Sequence, residues 1–298
     1  MIWPAIQPCW RASLHGGHSA AYCDHARSPL GEMLEAAVGR RMCLFGVTEH
    51  APRVEPERLY DEERAMGWTT DTLAELFARY AREVEELKEV YAGRLVILKG
   101  FEAEVVPEPG WEDLTRRWKR EYGFDYVVGS VHYVAGHIID YREEHFRRAV
   151  DAAGGMEAVA IQYFRNVAAM AVRLRPEVIG HFDLIRKQFV DDMSLYTSMV
   201  RKAALEALEA VRDAGCILDI NTGGYRKGLG RPYPAGFITQ AAADLGIPVC
   251  PGDDSHAADE VGYGLEEARE YLLRHGVRKV TLLWPESGGL GRRTVPLE

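Results

Sequence analysis

Residues 44–50 read Leu-Phe-Gly-Val-Thr-Glu-His, and residues 95–102 read Leu-Val-Ile-Leu-Lys-Gly-Phe-Glu. Each stretch is a short apolar run that ends on side chains able to bind a metal ion, and such runs predict buried parallel strands. Between them, residues 71–92 repeat leucine and aromatic side chains at three- and four-residue steps, with Thr70 or Asp71 as the cap. That periodicity predicts an amphipathic helix. The three segments together predict a strand, a crossover helix and a second parallel strand.

The same alternation extends along the chain. Apolar runs predict strands at 44–48, 95–98, 126–129, 177–180, 217–220, 247–250 and 280–283, with an earlier strand beginning at Ser13-Leu14. Amphipathic patterns predict helices at 30–41, 71–92, 111–121, 156–174, 193–214, 236–245 and 264–275. This alternation indicates a parallel sheet covered by helices, and seven or eight units favour a closed barrel over an open sheet. Because no repeat or linker interrupts the pattern, we predict a single domain over residues 1–298.

Composition narrows the function classes. The 298 residues are 47% hydrophobic and 27% charged, which is ordinary for a globular protein, and the net charge of -9 argues against nucleic-acid binding. The five cysteines form no CxxC pair, which favours a reducing compartment. The N-terminus lacks the pattern of a signal peptide, and no apolar stretch is long enough to span a membrane. We therefore expect a cytoplasmic protein with no membrane partner.

Histidines and carboxylates lie at the ends of the predicted strands and in two terminal motifs. The candidate ligands are His15, His18, His25, His50, Glu102, His132, His181, Asp254 and His256. One histidine at a strand end is more often structural, but a set at the carboxyl ends of barrel strands is typical of a metallohydrolase. The i, i+2 spacing of Asp254 and His256 on an extended strand would point both into one cavity. Imidazole and carboxylate ligands suit Zn²⁺, Mn²⁺ or Fe²⁺.

These residues resemble the ordered motifs of a known family. The motifs are His15-x-x-His18 with His25, Thr48-Glu49-His50, Gly100-Phe101-Glu102, Gly129-Ser130-Val131-His132, Gly180-His181-Phe182-Asp183 and Gly252-Asp253-Asp254-Ser255-His256. Over residues 13–262 they resemble the PHP (polymerase and histidinol phosphatase) superfamily. Residues 180–187, residues 221–227 and Tyr233-Pro234 resemble its histidinol-phosphatase branch in particular.

The resemblance implies a distorted (β/α)7 TIM-like barrel with a trinuclear metal cluster at the carboxyl ends of the strands, and we expect two or three divalent ions to be bound. It implies that a first ion is held by His15, His18, Glu102 and Asp254. Glu102 would bridge to a second ion, which His132 and His181 also hold. A third ion would be held by His25, His50 and His256.

The sequence departs from the family pattern at its first motif. The family has His-x-His, whereas Gly16 and Gly17 separate His15 from His18. Residues i and i+3 of a strand point to opposite faces, so the chain must turn at the two glycines for both histidines to reach one ion. We therefore expect a turn at this position.

Several further side chains are candidates for catalysis or substrate binding. Arg226 and Lys227 follow the 217–220 strand in a glycine-rich loop and are predicted to bind phosphate oxygens, with a solvated basic turn as the alternative. Asp183 is predicted to orient a ligand histidine or to give a proton to the leaving group. Glu49 and Glu104 are predicted to contact a cationic amine of the substrate, with exposed charges as the alternative.

These observations predict a metal-dependent phosphomonoesterase whose partner is a small phosphorylated substrate. The resemblance implies hydrolysis of L-histidinol phosphate to L-histidinol and phosphate in histidine biosynthesis. One alternative is a related phosphoesterase acting on another phosphomonoester, a nucleotide or a phosphodiester. Another is a catalytically silent metal-binding accessory module. Cys23, next to the candidate ligand His25, is interpreted as a bystander rather than a nucleophile.

Overall fold

The computed structural model describes residues 6–106, 108–189 and 193–298. The elements in chain order are β1 (Ala12–Ser13), α1 (Leu30–Gly39), β2 (Leu44–His50), α2 (Asp61–Ala65), α3 (Thr70–Val90), β3 (Val96–Ala103), α4 (Trp111–Glu121), β4 (Tyr126–Gly129), β5 (Tyr133–Val134), β6 (His137–Ile138), α5 (Glu143–Ala153), α6 (Met156–Arg173), β7 (Val178–Ile179), α7 (Ser198–Ala214), β8 (Ile217–Asn221), α8 (Gly223–Arg226), α9 (Gly236–Asp244), β9 (Val249–Gly252), α10 (Leu265–Arg274), β10 (Lys279–Glu286) and β11 (Gly289–Pro296). Within these ranges, no helix combines the length and apolar character needed to cross a membrane.

Seven parallel strands form the central sheet in the order β1-β2-β3-β4-β7-β8-β9. The two end strands approach each other, because the backbone N–H of Leu14 donates to the carbonyl of Pro251 at 2.9 Å. The sheet is therefore a nearly closed barrel with helices between its strands. This architecture confirms the predicted TIM-like barrel, including the early strand at Ser13.

The predicted strand at 280–283 exists, but its place in the barrel is wrong. It is part of β10, which pairs with β11 in an antiparallel hairpin outside the central sheet. Val280 and Leu282 nevertheless pack into the same hydrophobic cluster as the barrel strands. The hairpin thus covers the barrel, in keeping with the single domain that remains a prediction.

One predicted helix begins later than expected, and the eleven-residue helix α5 was not predicted. The helix predicted over 193–214 begins at Ser198, where the Thr197 hydroxyl caps it by accepting from the backbone N–H of Val200 at 3.3 Å. Residues 190–192 lie outside the described ranges. Helix α5 was not predicted, because only Phe146 and Ala149 of its eleven residues are buried and its apolar face is narrow.

A tyrosine fills the barrel interior beneath the strand ends. Tyr126 is fully buried, and its hydroxyl donates to the carbonyl of Leu14 at 2.8 Å. Glycines on two neighbouring strands make room for the ring, since a Cβ at Gly46 would lie 2.0 Å from its hydroxyl oxygen and a Cβ at Gly100 would lie 2.6 Å from its Cε1. The packed interior gives the side chains above it a rigid base.

Candidate metal centre

Glu102, near the end of β3, is the centre of the site. Its Oε1 lies 3.0 Å from His181 Nε2, 3.2 Å from His15 Nε2 and 3.6 Å from His132 Nε2. Its Oε2 lies 2.9 Å from His50 Nδ1. Burial raises the pKa of this carboxyl, but the neighbouring imidazoles, His15 first among them, hold that pKa well below its ordinary value. One buried carboxylate therefore joins histidines from four parts of the barrel.

The predicted turn between the first two histidines is present. Gly17 has φ = 77°, in the left-handed region that favours glycine. A Cβ at Gly16 would lie 2.0 Å from Oδ1 of Asp253, so a side chain there would collide with the neighbouring loop. The turn brings His18 Nε2 to 3.6 Å from Oδ1 of Asp254. The turn at the two glycines thus places His18 next to the other candidate ligands, whereas a straight strand would point it to the opposite face.

The candidate ligands form four groups in which donor atoms lie within 4.8 Å of one another. The groups are His15, His18 and Asp254; His15, Glu102 and His181; His18, His50 and Glu102; and Cys23, His25, His50 and His256. His132 belongs to none of them and joins the site through Glu102. The structure therefore brings together all nine residues predicted as metal ligands, and their role as ligands stays a prediction.

Asp254 and His256 converge for a different reason from the one predicted. Strand β9 ends at Gly252, and Asp254 has φ = 50°, so the alternation of an extended strand does not apply to it. The turn is held by Arg226, whose guanidinium donates to the carbonyls of Asp253 at 2.8 Å and Asp254 at 2.6 Å. A non-glycine residue in the left-handed region, fixed by two hydrogen bonds, is typical of a functional site.

Three imidazoles of the cluster are held in the neutral form by burial, whereas at His15 and His132 nearby carboxylates outweigh burial and raise the pKa. Burial and the repulsion of neighbouring histidines lower the pKa of His18 well below its ordinary value. Burial likewise lowers the pKa of His50, and it lowers the pKa of His256 to about 3. A metal ligand must offer a lone pair, which protonation would remove. These three rings are therefore in the state that metal binding requires.

Carboxylates outside the ligand set orient two of the histidines. Glu104 Oε2 lies 2.7 Å from His132 Nδ1, and Asp219 Oδ2 lies 2.8 Å from His15 Nδ1. Each contact leaves Nε2 of the ring to face Glu102, an arrangement that fixes the tautomer of a ligand histidine. Sequence analysis missed Asp219, although an acidic residue inside the apolar run of β8 was a visible sign of it.

Asp219→Asn should lower metal affinity or kcat about 10- to 100-fold, the usual effect of losing a carboxylate that orients a ligand histidine. Oδ2 of Asp219 faces three nitrogens: His15 Nδ1, the backbone N–H of His181 at 3.2 Å and Asn221 Nδ2 at 2.9 Å. The amide nitrogen of asparagine would place an N–H group against these nitrogens, where the carboxylate offers an acceptor. Metal titration and steady-state kinetics measure the effect, with the exposed Asp213→Asn on α7 as the control. Wild-type values for both variants would contradict the orienting role.

A cavity of about 530 Å³ opens over the cluster. Besides candidate ligands, its wall contains Lys187, Arg226 and Lys227. Lys227 Nζ lies 3.0 Å from Oδ2 of Asp254 and so stands directly beside the ligand set. Lys187, which donates to the carbonyl of Asp140, is a cationic residue that the sequence analysis did not single out. The cavity thus has the candidate metal ligands at its base and ammonium and guanidinium groups in its wall.

Three predicted functional residues lie away from this cavity wall. Asp183 is fully buried and accepts from the Tyr196 hydroxyl at 2.5 Å and from the backbone N–H of Ala235 at 2.8 Å. Glu49 is buried, with its Oε1 2.5 Å from the backbone nitrogen of Ser19, and Glu104 faces a ligand histidine. This geometry favours structural and orienting roles for all three over contact with the substrate or proton transfer to it.

Comparisons with known proteins agree with this geometry. Residues 15–223 match the family model of the PHP domain. A Schizosaccharomyces pombe protein named "Probable histidinol-phosphatase" is 31% identical over 93% of this chain and 90% of its own length. A Deinococcus radiodurans protein of the same name is 32% identical over 87% of this chain and 92% of its own length. A crystal structure of histidinol phosphate phosphatase from Lactococcus lactis, complexed with zinc, L-histidinol and phosphate, superposes with a TM-score of 0.71, covering 92% of this chain and 97% of that one at 17% identity. This last likeness is one of fold.

Proposed function

This chain belongs to the PHP family, and we propose that it is a metal-dependent phosphomonoesterase that hydrolyses L-histidinol phosphate to L-histidinol and phosphate in histidine biosynthesis. The observation that carries the proposal is the convergence of the nine candidate ligands at the base of a cavity that Lys187 and Lys227 also line. Curated relatives that match nearly the whole chain bear the corresponding enzyme name, which supports this substrate over other phosphate esters.

The residues of the site fit a cluster of two or three divalent ions. Both ring nitrogens of His18 and the Nε2 atoms of His50 and His256 are buried without a hydrogen bond. Buried polar atoms without partners are rare in folded proteins, and a metal ion would satisfy these. When bound, such ions activate water at neutral pH and stabilise the charge of a phosphate undergoing in-line displacement. The nitrogen and oxygen donors suit zinc, manganese or iron.

The other side chains of the cavity divide by charge. Lys187 and Lys227 supply ammonium groups that can bind phosphate oxygens. Asp24, Glu62 and Glu260 also line the cavity, and carboxylates favour a leaving group that carries a protonated amine. A phosphate ester of a cationic aminoalcohol matches both sets of charges. These residues would hold the ester in position over the ligand cluster, which is the main requirement of phosphoryl transfer.

The wild-type protein should contain two or three equivalents of transition metal and cleave L-histidinol phosphate with a higher kcat/KM than 4-nitrophenyl phosphate or a model diester. Elemental analysis of the purified protein, followed by initial rates on the three substrates, tests this expectation. The amine-bearing substrate gains from the cavity carboxylates, whereas the aryl ester does not. Equal kcat/KM values for histidinol phosphate and the aryl phosphate would overturn the substrate assignment and leave a general phosphoesterase.

A further inference from the structure

We propose that the thiolate of Cys23 is a fourth protein ligand of the ion that His25, His50 and His256 hold. The inference rests on the proposed metal-dependent function, and it changes the interpretation of Cys23 as a bystander. Cys23 is the one cysteine that shares a group of candidate ligands within the described ranges. On binding, the thiol releases its proton to solvent as the sulfur–metal bond forms.

The distances around Cys23 fit metal coordination. Its Sγ lies 3.4 Å from Nδ1 and 3.5 Å from Nε2 of His25. With zinc–sulfur bonds of about 2.3 Å and zinc–nitrogen bonds of about 2.0–2.1 Å, two ligands at a tetrahedral angle stand about 3.5 Å apart. One donor atom from each of the four residues lies within 4.8 Å of the other three. The Cys23 sulfur therefore stands at ligand separation from His25 and within 4.8 Å of a ring nitrogen of His50 and of His256.

The three histidines present free ring nitrogens to the group. Oδ1 of Asp24 lies 3.0 Å from Nδ1 of His25, and Oε2 of Glu102 lies 2.9 Å from Nδ1 of His50. The backbone carbonyl of Asp254 lies 3.0 Å from Nδ1 of His256. In all three rings Nε2 is the nitrogen left for a metal ion. Carboxylate or carbonyl partners on Nδ1 are the usual arrangement around ligand histidines.

Cys23 approaches the group from a different side than the substrate. The three histidines line the 530 Å³ cavity, whereas Cys23 is 4% exposed and lines a separate small cavity with Glu49. Its position is fixed by the hydrogen bond from its backbone N–H to the carbonyl of Ser19 at 2.9 Å. A thiolate behind three imidazoles completes a set of four protein ligands, which is typical of a tightly bound zinc ion. A soft thiolate ligand also favours zinc over manganese.

Cobalt substitution tests the inference in the full-length protein. Co²⁺ replaces the bound ions, and the near-ultraviolet absorption spectrum reports whether sulfur binds the metal. We expect a sulfur-to-cobalt charge-transfer band in the wild type and in Cys216→Ala, which replaces a buried cysteine immediately before β8. The band should be absent in Cys23→Ala and Cys23→Ser. X-ray absorption of the wild-type zinc protein should show a zinc–sulfur distance of about 2.3 Å. This measurement does not depend on whether any variant folds.

Metal affinity gives a second readout. Competition with a chromophoric chelator should show one equivalent bound at least about 10-fold more weakly in Cys23→Ala, with the other equivalents unchanged. A wild-type protein with its full complement of cobalt and no charge-transfer band would overturn the inference, as would a band that persists in Cys23→Ala. If such a protein still prefers L-histidinol phosphate, the proposed function stands and only the role of Cys23 fails.

Discussion

Glu102→Ala should lower kcat at least about 10³-fold, because it removes the one carboxylate that two proposed ions share and with it the geometry of both. Glu102 is 3% exposed and contacts four histidines, so its removal takes one shared partner from all of them at once. A loss of that size is about 4 kcal/mol of transition-state stabilisation. Steady-state kinetics on L-histidinol phosphate, with metal content measured on the same sample, gives the comparison.

Two further variants make this result interpretable. Glu102→Gln keeps the shape of the side chain but offers one oxygen in place of two, so it should also lose activity while retaining the fold by circular dichroism. Glu89→Ala, on the exposed face of α3, should match the wild type. Near-normal turnover of Glu102→Ala would show that Glu102 is only a buried partner of the histidines and that the proposed shared ligand is wrong.

The barrel could be predicted because its strands are buried on both faces. Six of the predicted apolar runs coincide with β2, β3, β4, β7, β8 and β9, where nearly continuous burial leaves few polar positions, such as Asp219 in β8, to interrupt the pattern. The hairpin of β10 and β11 was harder to predict. β10 is apolar at Val280, Leu282 and Leu283, like a barrel strand, whereas β11 carries glycines and arginines and buries only Val295. The two-residue turn at Ser287-Gly288 was the local indication of a hairpin.

The sequence predicted which residues form the site more successfully than how their side chains are arranged. Histidines at strand ends meet because parallel strands end at one rim of the barrel. Side-chain direction beyond the rim depends on single backbone angles that sequence does not specify. His181 has φ = 20°. Asp183, two residues later, points into the core, where it accepts from the backbone N–H of Ala235, instead of lying beside a candidate ligand histidine. Asp219 contacts His15 across a long stretch of sequence, and an acidic residue in an apolar run was its one local sign. Cys23 lies close to His25 in the sequence, but the direction of its side chain depends on the local backbone conformation.

Lys227→Met should lower kcat/KM for L-histidinol phosphate roughly 30- to 1000-fold, since losing a charged phosphate contact costs about 2–4 kcal/mol in transition-state binding. Methionine keeps the apolar stem of the side chain and removes only the ammonium group. Metal content should not fall, because the ammonium group of Lys227 contacts Asp254 but has no lone pair with which to bind a metal ion. The exposed Lys202→Met on α7 is the matched control.

Arg226→Ala separates phosphate binding from support of the ligand turn. Arg226 and Lys227 were both predicted to bind phosphate. The guanidinium of Arg226, however, donates to the carbonyls of Asp253 and Asp254 and thereby holds Asp254 in its left-handed conformation. We therefore expect Arg226→Ala to lose metal together with activity, whereas Lys227→Met loses activity alone. If Arg226→Ala keeps its full metal content and loses kcat/KM to the same extent as Lys227→Met, the turn does not need the arginine, and Arg226 is a direct phosphate ligand. Wild-type kcat/KM for Lys227→Met would instead remove Lys227 from the proposed substrate site.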